Sequence, residues 1–197
     1  MSGKTGICRK LLNFAAEFAE MLFITLFMVL LLFTYVLGIA VVRGESMMNT
    51  LSDGDKVIVS LVYNEPEQGD IVILNSDRRV TFGEDGAVRE EEGTGQCIVK
   101  RVIAVEGQEL NIDFAAGVVY VDGERLHEPY LELGLTHLDE GGFGGYPIVI
   151  PEDCVFVMGD NRDLSKDSRS GDIGLVPEDC IVGKVILRLS PGLDVPQ

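Results

Sequence analysis

Tryptophan is absent from the 197 residues, and histidine occurs only twice. Basic residues are also scarce, since 16 Lys and Arg stand against 32 Asp and Glu for a formal charge of −16. A chain this acidic repels the phosphates of nucleic acids, so we expect no nucleic-acid partner. The two histidines, His127 and His137, lie in a polar stretch without a serine-centred motif, which argues against a Ser-His-Asp triad.

Cysteine is sparse, and its spacing excludes the usual metal motifs. The four cysteines form no CxxC pair and stand at no zinc-ligand spacing from a histidine; they are Cys8, Cys97, Cys154 and Cys180. We therefore predict no metal and no cofactor. If the region beyond residue 42 is exported, Cys8 stays behind the membrane and three cysteines remain, so at least one thiol should be free. We interpret these three as small buried hydrophobes and leave their pairing open.

Charge is missing altogether from residues 21–42, a run of apolar side chains. As a helix rising about 1.5 Å per residue, this run would measure about 33 Å, enough for a hydrocarbon core of about 30 Å. A cleavable signal peptide would have an apolar region of only about 7–15 residues, which is shorter than this run. The run predicts a retained membrane anchor rather than a buried helix of a soluble core, which seldom lacks polar positions over this length.

The distribution of basic residues gives a slight orientation signal. Three precede the run and two follow it closely: Lys4, Arg9, Lys10, Arg43 and Lys56. The bias favours a cytoplasmic N-terminus. We predict a cytoplasmic segment at 1–20, a single-pass anchor of the cell membrane at 21–42 and an extracytoplasmic catalytic domain at 43–197, and the oligomeric state stays open.

Beyond the anchor, short alternating apolar runs predict a mainly β fold. These runs are residues 56–62, 71–74, 98–105, 118–121, 155–158 and 181–189. Asp122 and Gly123 stand between two runs and favour a hairpin turn. The polar stretch 75–96 and the Gly-rich stretch 139–146 are interpreted as surface loops. The expected architecture is one transmembrane helix followed by a single β-rich domain.

One lysine lies where it could serve as a base. A serine hydroxyl becomes a useful nucleophile only when a neighbouring base accepts its proton. A lysine can do this if burial lowers its pKa from about 10.4 toward neutrality. Strand alternation puts Lys100 on one face with Ile98 and Val102 and Arg101 on the other, although Lys100 could also extend to solvent. Arg101 itself cannot deprotonate and is excluded as the base.

Three segments in order carry a family resemblance. GESMMNTL at 44–51 resembles the serine box of type I signal peptidases, IVKRV at 98–102 resembles their lysine box, and MGDNRDLSKDSR at 158–169 resembles their Gly-Asp-Asn-Arg box. Weaker similarities lie at 69–72, 128–131 and 176–178. The resemblance extends from the anchor to about Leu189, and it implies a β-rich signal-peptidase-like fold.

The resemblance also assigns roles. It implies that Ser46 is the nucleophile of a serine endopeptidase, that Lys100 is its general base, and that Ser165 orients the lysine by a hydrogen bond. The implied substrates are signal peptides of secretory precursors, cut at the bilayer surface after small side chains at positions −1 and −3. Which precursors are cut, and whether a paralogue shares the task, the sequence leaves open.

The remaining family positions support or shape the site. The resemblance implies a structural ion pair between Asp167 and Arg169, with Asp160 and Asn161 in the same supporting segment. It places Met47, Leu51 and Ile98 along shallow substrate pockets, although each is equally compatible with a role in the core.

Two positions depart from the family pattern. Asn49 replaces the usual proline, which relaxes the backbone without removing a chemical group. Gly44 stands where some members have a serine whose hydroxyl donates to the oxyanion. The backbone N–H of Ser46 can still donate, but the second donor is in doubt.

Two rival interpretations differ in what they require. A self-cleaving repressor with a Ser/Lys pair would carry a DNA-binding module before Ser46, and none is present. A membrane-tethered domain that only binds a partner would leave Lys100 charged and Ser46 unreactive.

Overall fold

The computed structural model of the chain describes residues 2–83, 85–131, 135–190 and 194–196. It divides into two compact units, residues 1–38 and 39–197. The first unit is built on helix α1, Ser2–Tyr35, whose portion Leu12–Tyr35 is long and apolar enough to cross a membrane. The hydroxyl of Thr25 donates to the carbonyl of Met21 at 2.8 Å, so this polar group is satisfied within the helix.

The predicted helical extent of 21–42 is wrong at both ends. Helix α1 begins earlier and ends at Tyr35, and the last predicted residues form strand β1, Leu37–Val41. Gly38 weakens a helix, and the β-branched side chains around it favour a strand. Apolar composition alone does not separate these two outcomes. The predicted domain borders at residues 20 and 42 remain predictions.

The second unit is mainly β, as predicted from the sequence. A seven-stranded sheet has the order β1-β2-β13-β3-β6-β11-β12, a four-stranded sheet has the order β10-β7-β8-β9, and β4 pairs with β5. The strands are β2 Lys56–Ser60, β3 Ile71–Asn75, β4 Arg78–Phe82, β5 Val88–Glu92, β6 Cys97–Ala104, β7 Glu109–Asp113, β8 Val118–Val121, β9 Glu124–Arg125, β10 Ile148–Val149, β11 Cys154–Met158, β12 Val176–Pro177 and β13 Ile181–Arg188.

Each of the six predicted apolar runs overlaps one of these strands, β2, β3, β6, β8, β11 or β13. The predicted hairpin turn is also confirmed. Asp122 and Gly123 adopt φ values of 53° and 78° between β8 and β9. Two successive residues with positive φ match the right-handed twist of the strands that they join.

Of the two segments predicted as surface loops, 75–96 needs correction, whereas 139–146 is an irregular segment in which no residue is buried. Residues 75–96 contain the β4–β5 hairpin, in which Arg79 pairs with Glu91 across the strands at 2.7 Å. The strands of this hairpin carry mainly charged side chains, so a search for hydrophobic alternation does not detect them. In the stretch 139–146, the N–H of Gly142 donates to the carbonyl of Arg169 at 2.7 Å, and Phe143 and Tyr146 pack against the core.

Strand β6 occupies the position on which the site depends. It lies between β3 and β11 in the large sheet, with Lys100 opposite Val72 and Arg101 opposite Met158. The segment 158–169 leaves the sheet at the end of β11, so antiparallel pairing brings it beside Lys100. The turn after β1 packs Met47 into a core cluster with Val57 and Ile71.

Candidate active site

Ser46 and Lys100 meet at the centre of the site, although 54 positions separate them along the chain. The Nζ of Lys100 lies 2.7 Å from the Oγ of Ser46 and donates a hydrogen bond to it. The lysine is 3% exposed, whereas Ser46 is half-buried at the surface. A base and a hydroxyl at this distance can exchange a proton directly once the amine is neutral.

Burial shifts the titration of Lys100. Removal from water lowers the pKa of the amine from 10.5 to about 8, while the carboxylates of Asp167 and Asp160 act in the opposite direction. Desolvation dominates because neither carboxylate is free. Each is neutralised by an arginine, so the charged form of Lys100 gains little from them.

The predicted pair of Asp167 and Arg169 is present and fully buried. Nε of Arg169 lies 2.9 Å from Oδ1 of Asp167, and Nη2 lies 2.9 Å from Oδ2. Asp167 also accepts from the N–H of Gly159 at 3.0 Å. This bidentate geometry fixes the segment behind the lysine.

Asp160 and Asn161 hold the turn that carries Ser46. The N–H of Asn161 donates to the carbonyl of Ser46 at 3.0 Å, and its side-chain amide donates to the carbonyl of Glu45 at 3.2 Å. Asp160 accepts a short hydrogen bond from the hydroxyl of Thr50. Asn161 therefore contacts the backbone of Ser46, and Asp160 contacts the side chain of Thr50 in the same turn.

The predicted hydrogen bond from Ser165 to Lys100 is absent. Ser165 is 2% exposed, and its Oγ has no hydrogen-bond partner among the described residues. It lies next to the nucleophile across Gly159, where an added Cβ would approach Oγ of Ser165 to 2.2 Å and the carbonyl of Ser46 to 2.4 Å. Only glycine fits between the two serines.

The backbone N–H of Ser46 is the donor beside the hydroxyl that could serve a bound carbonyl. No hydrogen bond within the described part of the chain uses the N–H of Ser46. Gly44 adopts φ +86°, and its own N–H donates to Asp53 at 2.8 Å, so it is not free to serve a substrate. The structure offers no hydroxyl at position 44, in keeping with the sequence.

A groove beside Ser46 and Lys100 encloses a cavity of about 270 Å³. Ile98 and Cys97 line it, together with Ala40, Val41, Val42, Arg43, Val57, Ile73 and Val99. The placement of Met47 and Leu51 in a substrate pocket is wrong, because both are buried in the core and neither lines this groove. The direction of the turn after Ser46, which the sequence does not reveal, sends them inward.

The cysteines and histidines lie largely as expected. Cys154 and Cys180 are buried free thiols, while Cys97 is a free thiol exposed in the groove, so its predicted burial is wrong. His127 and His137 are exposed, and Nδ1 of His137 is 2.9 Å from the carbonyl of Phe114. Among the described residues, no group of three or more His, Cys, Asp or Glu is arranged to hold a metal.

Comparison with known proteins agrees with this arrangement. The family model described as signal peptidase, peptidase S26, matches residues 15–190. The chain belongs to the signal peptidase family. A signal peptidase IB of Staphylococcus aureus (strain COL) is 34% identical over 166 residues, which cover 76% of each chain. A probable signal peptidase I-1 of Synechocystis sp. is 32% identical over 182 residues, or 91% of this chain and 84% of that protein.

Among solved structures, a signal peptidase I from Enterococcus faecalis V583 aligns with a TM-score of 0.43 and 23% identity. The alignment covers 61% of this chain and 97% of that one. No conclusion about the site rests on this likeness. Membership of the signal peptidase family identifies the chain as a peptidase, and the apolar helix α1 fits a membrane-anchored protein.

Sequence reasoning missed two further buried ion pairs beside the pair of Asp167 and Arg169. Arg101 binds Asp160 in bidentate fashion at 2.9 and 2.7 Å, and both residues are buried. Arg162 pairs with Glu128 at 2.5 Å, and the ring of Tyr130 lies against Arg101. Alternation put Arg101 on the strand face opposite Lys100, and the structure buries both faces of this strand, so the guanidinium requires an acidic partner. That signal could have predicted a carboxylate nearby.

Proposed function

We propose that this protein removes signal peptides from exported precursors, with Ser46 as nucleophile and Lys100 as general base. The observation that carries the proposal is the 2.7 Å separation of a nearly dry amine and a half-buried hydroxyl. Membership of the signal peptidase family and its relatives' names support the same substrate class. The rival, a tethered domain that only binds, gives no reason for burying a lysine against a serine.

The chemistry proceeds through an acyl-enzyme. Oγ of Ser46 attacks the scissile carbonyl carbon while its proton moves to the neutral Nζ of Lys100. The oxyanion that forms accepts a hydrogen bond from the N–H of Ser46, a type of contact worth about 2.7–4 kcal/mol. The ammonium then gives its proton to the departing amine, and the C–N bond breaks. Lys100 next takes a proton from water, which attacks the ester, and Ser46 leaves with its proton restored.

The groove supports a preference for small side chains. Its lining is mainly aliphatic, and its volume of about 270 Å³ leaves little room beside the backbone of a bound peptide. We assign the residues before the cut to this groove, with Ile98 on its wall. Small side chains at −1 and −3 follow from the family resemblance and agree with a shallow aliphatic surface.

The substrate's location supports an extracytoplasmic domain. A signal peptide inserts into the bilayer and presents its cleavage site near the outer surface. Helix α1 supplies one span of suitable length, and the slight positive bias before it favours a cytoplasmic N-terminus. We place the β domain on the far side of a single-pass anchor.

Three variants of the full chain in detergent test the dyad against a secretory precursor. Ser46→Ala and Lys100→Ala should each abolish cleavage, and Lys100→Arg should be equally inactive because an arginine cannot give up its proton. Exposed neighbours provide matched controls, and Ser52→Ala and Lys56→Ala should retain full activity. Near-normal turnover by Ser46→Ala or either Lys100 variant would refute the proposal.

A further inference from the structure

Tyr130 lies between two arginines that the proposed reaction does not use. Its ring is half-buried, with Cζ of Arg101 3.9 Å from the ring centroid and Cζ of Arg162 6.0 Å from it. The phenol hydroxyl donates to Glu128 at 3.2 Å. A guanidinium over an aromatic face is attracted by the ring's electron density, most strongly where water is excluded.

Each arginine fixes a different part of the site. Arg101 follows Lys100 on β6, binds Asp160 through two hydrogen bonds and donates to the carbonyl of Gly69 at 2.8 Å. Arg162 donates to the carbonyl of Gly159 at 3.0 Å. Arg101 therefore holds strand β6, which carries Lys100, and Arg162 holds the loop that follows β11.

This loop in turn holds the nucleophile. Asn161, between the two ion-paired residues Asp160 and Arg162, donates to the carbonyl of Ser46 at 3.0 Å. Asp160 also accepts from Thr50 at the end of the same turn. A shift of the arginines would thus move Ser46 relative to Lys100, and a hydrogen bond of 2.7 Å tolerates little displacement.

We propose that Tyr130 is a positioning residue for the pair of Ser46 and Lys100, because its ring holds the side chains of Arg101 and Arg162 in their ion pairs. The inference rests on the proposed function of that pair. It assigns the role to the aromatic face rather than to the phenol hydroxyl, whose bond to Glu128 is long.

The charges around Lys100 make the positioning role of Tyr130 measurable in the pH dependence of activity. Four charged groups act on the amine, namely Asp167, Asp160, Arg169 and Glu140, and the hydroxyl of Ser46 is its hydrogen-bond partner. When Arg101 loosens from Asp160, the carboxylate becomes less compensated and favours the ammonium form. The pKa of Lys100 then moves up, and activity requires a higher pH.

The test compares Tyr130→Leu with Tyr130→Phe in the full-length protein in detergent, with a peptide spanning a signal-peptide cleavage site as substrate. Tyr130→Leu should lower kcat by about tenfold or more, leave KM within about twofold and move the acid limb of the pH–rate profile upward. Tyr130→Phe keeps the aromatic ring, so its kcat and the acid limb of its pH–rate profile should match those of the wild type. Leu110→Ala, in the core of the four-stranded sheet, is the control for general destabilisation and should lower Tm without moving the limb.

Three results would overturn the inference. One is wild-type kcat and an unmoved acid limb in Tyr130→Leu. Another is a Phe variant as impaired as the Leu variant, which would assign the effect to the hydroxyl. A lower Tm of Tyr130→Leu without a move of the acid limb, which is the result expected for Leu110→Ala, would also reject the positioning role of Tyr130. If Ser46→Ala and Lys100→Ala stay active, the proposed function itself fails, whereas their inactivity beside a normal Tyr130→Leu rejects the positioning role alone.

Discussion

Replacing Lys100 with methionine should stabilise the folded domain at neutral pH while destroying its activity. The lysine is 3% exposed, and burial lowers the pKa of its amine from 10.5 to about 8. The folded state therefore binds the proton more weakly than the unfolded chain does. Methionine has a similar length and carries no charge, so it removes this cost. Ser46→Ala should be the common background, because it removes the hydrogen-bond partner of Lys100 from both proteins that are compared.

The size of the effect follows from the shift. Below about pH 8 the lysine is protonated in both states, and lowering the pKa from 10.5 to about 8 costs the folded state about 3 kcal/mol. As pH rises from 8 toward 10.5, the folded amine is already neutral while the unfolded one loses its proton, so the cost declines. The advantage of methionine should therefore shrink by about 1 kcal/mol between about pH 6.5 and 9.

Urea denaturation read by resistance to a brief protease pulse measures this difference in detergent at both pH values. The change between the two pH values is decisive, because losses of packing or of hydrogen bonds contribute equally at both. Lys56→Met on the exposed face of β2 should show no such change. If Lys100→Met fails to raise the free energy of unfolding, or if its advantage grows with pH, the argument that desolvation sets the pKa of the Lys100 amine is refuted.

Two further predictions concern the same groove. Cleavage of a precursor should increase as pH rises through about 8, since the neutral fraction of Lys100 goes from about a tenth at pH 7 to one half at pH 8; a rate that is flat from about pH 6 to 9 would contradict this. A bulky thiol reagent should react with Cys97 before the buried Cys154 and Cys180 and should block cleavage, and Cys97→Ala should resist that inhibition; equal inhibition of both proteins would place the sensitive thiol elsewhere.

The β framework was predictable where strands are apolar on one face. Strands β2, β6 and β13 have such patterns, and hydrophobic alternation identified them. The hairpin of β4 and β5 escaped because its cross-strand contacts are ion pairs, such as Arg79 with Glu91, which a hydrophobic pattern does not register. The end of helix α1 escaped because apolar side chains suit a helix in lipid and a strand in a sheet equally well.

The site was predictable in its residues but not in its geometry. Family motifs identified Ser46 and Lys100, whereas their 2.7 Å separation depends on how a turn meets a strand 54 residues away. The same turn decides that Met47 points into the core and that Ile98 lines the groove. Such directions depend on tertiary packing, which no local pattern encodes.

The excess of acidic residues makes the low pKa of Lys100 a demanding requirement. With a net charge of −16, any uncompensated carboxylate near the amine would hold its proton. The two carboxylates that act most strongly on the amine, Asp167 and Asp160, are instead each bound by a buried arginine. Arg169 and Arg101 thus act as counterions that offset part of the carboxylates' attraction for the ammonium, and desolvation stays the dominant influence. The proposed serine–lysine mechanism therefore depends on these two arginines as well as on the burial of the lysine.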